Sequence, residues 1–299
     1  MLALANVLWA GSYVAGKAVL ATWPFASLNM LRFTIGAAAL APVLWRGRRQ
    51  LPRAAPDRWR LAAMCVLGFG ATKALEYLGL GLTSATDTAL LIAAEGLATV
   101  GLSWLFLHER IGRMQSLGLA AGLVGVYIVV ERGLRLPIGL AGPGTLGNVL
   151  VVLALVFEAG FTIVGATIAT RYPPLLITAV VVTGSLLVWW PAGLAALALR
   201  GWPGLTPAGI LGVTYMGLVS TAICYWAWFY GLRRVRPGSL APLLFIQPVV
   251  GTLLAVWIRG ERPGAATVVG GALVLCGVAT VVRERRPGPR VVPAGPPPA

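Results

Sequence analysis

Seven ionisable residues stand inside, or at the edge of, long apolar runs: Lys17, Arg32, Lys73, Glu76, Asp87, Glu95 and Glu158. Asp87 lies near the end of its run, where it can cap a helix or reach an interface. Each of the other six would cost about 2.5–3.5 kcal/mol if it faced lipid at mid-bilayer. Enclosed charges of this kind pair with one another or line a wet cavity, where they hold charged solutes or exchange protons. Helical spacing gives them common faces. Lys73, Glu76, Tyr77 and Leu80 fall at i, i+3, i+4 and i+7, and Glu158, Phe161, Thr162 and Gly165 repeat that spacing. Asn6, Trp9, Tyr13 and Lys17 run along one side of the first apolar run. Lys73 with Glu76 reads equally well as a structural ion pair, and Tyr13, Tyr77 and Phe161 as packing residues. Glu158 has no basic neighbour on its own helix, which favours a functional role.

Other chemistry is poorly supplied. The one histidine, His108, falls in a loop, and Cys65, Cys224 and Cys276 lie in apolar runs without metal-ligand spacing. Neither a phosphate-binding G-x-x-x-x-G-K-[ST] loop nor paired acidic metal clusters occur. Catalytic residues, metals and cofactors are therefore not expected. A net charge of +15 invites a nucleic-acid reading, but 22 of the 24 basic residues are arginines gathered in short loops, not along a helix face. No nucleic-acid partner is expected.

The elements that must position these residues are membrane spans. Hydrophobic residues make up 58% of the 299-residue chain and charged residues 11%, against about 25% charged in a soluble domain. Ten apolar stretches suit crossing: 2–21, 28–45, 61–81, 87–107 and 114–130, then 146–169, 175–199, 207–230, 239–258 and 265–282. The first lacks the basic start and small-residue cleavage site of a signal peptide, so it reads as a retained span. Residues 131–145, with Pro137, Pro143 and Gly144, read as a linker between halves at 1–130 and 146–282, and 283–299 as a disordered cytoplasmic tail. Placing the arginine-rich 46–60 loop in the cytoplasm puts sixteen loop and tail arginines inside and five outside, with both termini cytoplasmic.

The halves repeat. Residues 77–130 align with 229–282 at a constant shift of 152, with fifteen identities, among them Glu109/Glu261, Arg110/Arg262, Gly118/Gly270 and Gly125/Gly277. Five spans per half is an odd number, so the second half must enter the membrane reversed. The expected fold is all-α, ten transmembrane helices as two inverted five-helix repeats, with a substrate site near the midplane between them. Glu95-Gly96 aligns with Gln247-Pro248, and both pairs set a polar side chain beside a helix-weakening residue, Gly96 or Pro248. Interrupted segments at matching points of two repeats point to a transporter's site. Gly118/Gly122, Ala121/Gly125 and Ala266/Gly270 are small-xxx-small pairs for close helix packing.

Several short motifs together resemble the EamA type of the drug/metabolite transporter superfamily. They are Leu8-Trp9-Ala10-Gly11-Ser12, Leu31-Arg32-Phe33, Glu109-Arg110, Gly260-Glu261-Arg262, Gln247-Pro248 and the paired glycines, and the resemblance covers residues 1–282. The chain departs from the family where Gly96 replaces a frequent proline and Ala10 a frequent glycine, and members usually carry more residues before the first span. The resemblance implies export of small metabolites from the bacterial cytoplasm across the inner membrane, with YddG-like amino-acid exporters as the nearest group. Asn6, Trp9, Tyr13, Tyr77, Glu95, Glu158, Phe161 and Gln247 are the expected substrate-site residues. Glu95, Glu158, Lys17, Arg32, Lys73 and Glu76 are the candidates for proton coupling or ion pairing. The expected partners are a small-molecule substrate and membrane lipid. A membrane-embedded enzyme and a non-transporting receptor or scaffold are the competing readings.

Overall fold

The structure is a computed structural model that describes all residues except 93, 108–111, 132–142, 205, 235–242, 245 and 285–299. The described residues are helical, without a strand. The helices are α1 (Leu2–Leu20), α2 (Phe25–Gly47), α3 (Ala55–Leu82), α4 (Ala85–Leu91), α5 (Ala94–Leu107), α6 (Arg113–Glu131) and α7 (Pro143–Ala169). They continue with α8 (Pro174–Arg200), α9 (Pro207–Leu232), α10 (Ile246–Arg259) and α11 (Ala265–Glu284). Among the described residues, six segments are long and apolar enough to cross a membrane, namely α1, α2 with its extension to Gln50, α3, α7 from Gly144, α8 and α9. Shorter apolar stretches lie in α6, α10 and α11. Leu117, Leu187, Leu199, Leu253 and Trp257 are all exposed on this bundle, a surface matched to lipid and not to water.

Three expected boundaries differ. The fourth span is not one helix, since α4 ends at Leu91, turns at Ile92 and restarts at Ala94. The break precedes Glu95, so Gly96 lies inside α5 and is not the point of interruption. Pro248 lies within α10, and residue 245 just ahead of that helix lies outside the described residues. Residues 46–60 are not a plain loop, since α2 runs to Gly47 and α3 begins at Ala55. Residues 283–284 still belong to α11. His108, Glu109, Arg110 and most of the expected linker and tail lie outside the described residues.

Two helices change pitch midway. α3 widens to a π-helical turn at Met64–Ala71, and α9 does so at Tyr215–Ile223. Such turns loosen the backbone ladder and commonly sit at functional sites. Tryptophans meet the carbonyls there. Trp189 Nε1 donates to Phe69 O at 3.0 Å, and Trp9 Nε1 donates to Ser220 O at 2.8 Å.

Packing partners follow a regular plan. α1 packs on α9 and α10, α7 on α3 and α5, α2 on α8, and α6 on α11. The α6–α11 crossing is antiparallel and built on glycine. A Cβ on Gly125 would stand 2.6 Å from Gly270 O, and one on Gly277 would stand 2.5 Å from Gly118 O. Neither neighbour is a movable side-chain tip, so no larger residue fits without shifting backbone. The small-residue pairs thus serve packing within the chain. Gly277→Val is expected to destabilise the detergent-solubilised protein by about 1–3 kcal/mol, read as a lowered melting midpoint. An unchanged midpoint would contradict this crossing.

Candidate functional site

The π-helical turn of α3 leads directly into Thr72, Lys73 and Glu76, which line a partly open cavity. α1 adds Trp9, Ser12 and Tyr13, α2 adds Arg32, α5 adds Glu95, and α7 adds Leu155 and Glu158. α9 supplies Ser220, Tyr225 and Trp228, and α10 supplies Gln247. Seven helices therefore meet at one cavity that holds two cations and three carboxylates.

Most of these charges are compensated locally. Lys73 Nζ donates to Glu76 Oε2 at 2.6 Å and to Glu158 Oε2 at 3.2 Å, while the other Glu158 oxygen accepts from Tyr225 OH at 3.2 Å. This junction ties α3 to α7 and α9. Glu158 is therefore paired in space, although its own helix offers no base. Arg32 is held differently. Its Nε donates to Thr221 Oγ1 at 2.7 Å and its Nη1 to Tyr77 OH at 2.6 Å, and its guanidinium lies over the rings of Phe33 and Tyr77. It is only 2% exposed and, among the described residues, forms no ion pair. Glu95, in the first turn of α5, is 6% exposed and makes no side-chain hydrogen bond or ion pair among the described residues.

Gln247 is fully engaged. Its Oε1 accepts from Tyr13 OH at 2.9 Å, and its Nε2 donates to Asn6 Oδ1 at 2.8 Å. Asn6 Nδ2 in turn donates to Leu2 O at 2.9 Å. The two repeat-related polar positions thus differ. Gln247 fastens α10 to α1, whereas the Glu95 side chain bonds to no other helix among the described residues.

Comparison with known proteins identifies the family. The EamA-like transporter family matches residues 1–131 and 145–283. The chain belongs to that family. A "probable terminal-alkyne amino-acid exporter" of Streptantibioticus cattleyicolor is 28% identical over 95% of this chain and 92% of its own length. A "probable amino-acid metabolite efflux pump" of Salmonella typhimurium is 26% identical over 84% and 89% of the two chains. An "uncharacterized transporter" of Archaeoglobus fulgidus is 23% identical over 93% and 94%. One solved structure shares the fold with a TM-score of 0.63, at 22% identity over 93% of this chain and 94% of that one.

On this EamA-family fold, the expected site residues divide. Trp9, Tyr13, Glu95, Glu158 and Gln247 line the cavity, as do Arg32, Lys73 and Glu76. Asn6, Tyr77 and Phe161 stand behind its wall. Asn6 is bonded to Gln247, Tyr77 to Arg32, and the Phe161 ring packs on Gly68, Phe69 and Tyr225. Lys17 is not in the cavity at all. Its ammonium donates to the carbonyls of Leu80, Gly81 and Thr83, the C-terminal carbonyls of α3 that lack helical partners. Asp87 does not reach an interface, being only 4% exposed. It is buried against Thr267 and Thr83, and Ser84 is the N-cap of α4. Neither charge nor helical spacing marks Tyr225, Trp228, Ser12 and Ser220 as lining residues. A shift of 152 maps Lys73 onto Tyr225 and Glu76 onto Trp228, so carrying the repeat upstream of residue 77 is the signal that finds two of them.

Lys73→Met is expected to cost about 3–5 kcal/mol in stability, because two enclosed carboxylates lose their shared cation. Adding Glu76→Gln and Glu158→Gln should recover most of that loss in thermal unfolding. A wild-type melting midpoint for Lys73→Met alone would contradict the bridging role.

Proposed function

We propose that this chain is a secondary transporter that exports small metabolites, amino acids foremost, by alternating access through a central cavity between two inverted repeats. The observation that carries this reading is the cavity itself: a partly open charged space, with one unbonded carboxylate, inside a bundle whose outer face is apolar. The names of two relatives, an amino-acid exporter and an amino-acid metabolite efflux pump, favour the substrate class.

Three features support ten spans as inverted repeats, at 1–130 and 146–282. The π-helical turns, 64–71 and 215–223, coincide under the 152-residue shift apart from Tyr215. The glycine crossing of Gly125 on Gly270 matches that of Gly118 on Gly277 when each residue is exchanged for its repeat mate. The packing plan survives the same exchange, since the first span meets the eighth and ninth while the sixth meets the third and fourth. The family favours a bacterial inner membrane, and the distribution of arginines favours cytoplasmic termini.

Contacts between the halves at each end are suited to open in turn. At the end assigned to the cytoplasm, Asp57 accepts from Arg171 at 3.0 Å and from Tyr172 OH at 3.0 Å. At the other end, Glu261 accepts from the backbone N–H groups of Ala85 and Thr86 at the start of α4. Proton coupling is assigned to Glu95, which is not engaged as Glu76 and Glu158 are, so that proton and substrate occupy it alternately. Trp9, Tyr13, Glu158 and Gln247 form the surrounding substrate wall.

Reconstituted vesicles without ATP should pass labelled amino acids, and an imposed pH gradient should drive wild type and Glu158→Gln but not Glu95→Gln. Wild-type flux that follows only the substrate gradient would reject coupling and leave a facilitator. Cells overexpressing the chain that release no additional metabolite would reject transport.

A further inference from the structure

Two charges in the cavity lack the partner that burial demands, and their signs are opposite. Arg32 is anchored by two hydroxyls, on Thr221 and Tyr77, which orient a guanidinium without neutralising it. Its Nη2 makes no hydrogen bond among the described residues, although Arg32 lines the cavity and is almost wholly enclosed. Glu95 is equally enclosed, lines the same cavity, and makes no bond through its carboxylate among the described residues. The other three charges are bonded together through Lys73 and keep one negative charge in excess, without an ion pair to Arg32 among the described residues. A buried ion pair is costly to break by removing one partner, and a fold that keeps two opposite charges apart in one space forgoes pairing them. A ligand carrying both complementary charges supplies each with its missing partner at once.

We infer that Arg32 and Glu95 are the two poles of a zwitterion receptor, Arg32 taking the substrate carboxylate and Glu95 its ammonium. The inference rests on the transport reading above and sharpens it to a substrate class: amino acids with both groups ionised. Guanidinium suits a carboxylate because its planar donors match the two oxygens. Between the poles, Trp9, Trp228 and Leu155 form an apolar wall for the substrate's side chain. Thr221 and Tyr77 act as positioning residues. They hold the Arg32 fork in one orientation while leaving Nη2 to the ligand.

The test is counterflow into proteoliposomes with three labelled probes: a mixture of proteinogenic amino acids with 4-aminobutyrate, a mixture of the corresponding simple amines, and a mixture of the corresponding monocarboxylates. Wild type should carry the amino acids and reject the other two mixtures by at least about tenfold, the discrimination expected from one lost charge-assisted contact. Glu95→Gln should lower amino-acid flux while improving monocarboxylates relative to it, and Arg32→Gln should do the reverse with amines. Where Arg32→Gln fails to fold, Tyr77→Phe frees the guanidinium and should raise KM for amino acids more than it lowers maximal flux. If wild type carries amines or monocarboxylates as well as amino acids, the two-pole inference falls while transport stands. It falls in the same way if overexpressing cells export a metabolite yet the vesicles pass no amino acid. Equal losses for all three probes in both charge variants would also overturn it.

Discussion

A bilayer core offers no water to an ionised side chain, so every charge in this chain must be answered by the protein or by what it carries. The Lys73 junction is where that constraint acts most strongly. One ammonium serves two carboxylates from different helices, and Tyr225 takes the remaining oxygen. Satisfying Lys73 therefore fixes α3, α7 and α9 together, and the cavity is the space those helices leave between them. The π-helical turn before Thr72 supports this arrangement, because inserting a residue into the pitch rotates the following face. Lys73 and Glu76 then face inward while Tyr77 reaches Arg32 on α2.

On the proposed repeat architecture, much of the cavity is double. Lys73 and Glu76 on α3 answer to Tyr225 and Trp228 on α9, so one copy is charged and the other aromatic. Glu95 answers to Gln247 with the same asymmetry. The glutamine closes a chain of hydrogen bonds from Tyr13 through Asn6, whereas the glutamate side chain makes none among the described residues. Under that reading, duplication set matching positions around one space, and divergence left charged residues at these positions in one half and aromatic ones in the other. In a transporter that works by rocking two halves against each other, such a division lets one side hold the solute's charge while the other keeps the frame.

Spacing read the faces of the helices well and their depths poorly. Lys73, Glu76 and Glu158 gather because i, i+3 and i+4 periodicity describes which side of a helix a residue occupies. Lys17 shares a face with Trp9 and Tyr13, but periodicity does not say that this turn of α1 passes the end of α3. There the unpaired carbonyls of Leu80, Gly81 and Thr83 offer an ammonium three acceptors. Phe161 lies on the face of Glu158, yet Gly68 opens a recess on α3 that draws the ring out of the cavity wall. Tyr225 and Trp228 are neutral in an apolar run and carry no local signal. The break in the fourth span falls at Ile92, where neither glycine nor proline announces it, although Glu95 does mark its neighbourhood. The glycine crossing of α6 and α11 was legible from small-xxx-small spacing alone, since only backbone contact needs residues that small.

The central claim is that Glu95, alone among the three cavity carboxylates, is left for a proton or a substrate. A hydrophobic carbodiimide, which condenses with a protonated carboxyl to a stable acylurea, reads that state directly when the modified peptides of the purified protein are mapped by mass spectrometry. The predicted result is modification at Glu95 with Glu76 and Glu158 spared, and protection of Glu95 when amino acids are present. Modification at Glu76 or Glu158 with Glu95 untouched, or labelling of Glu95 that amino acids leave unchanged, would contradict it.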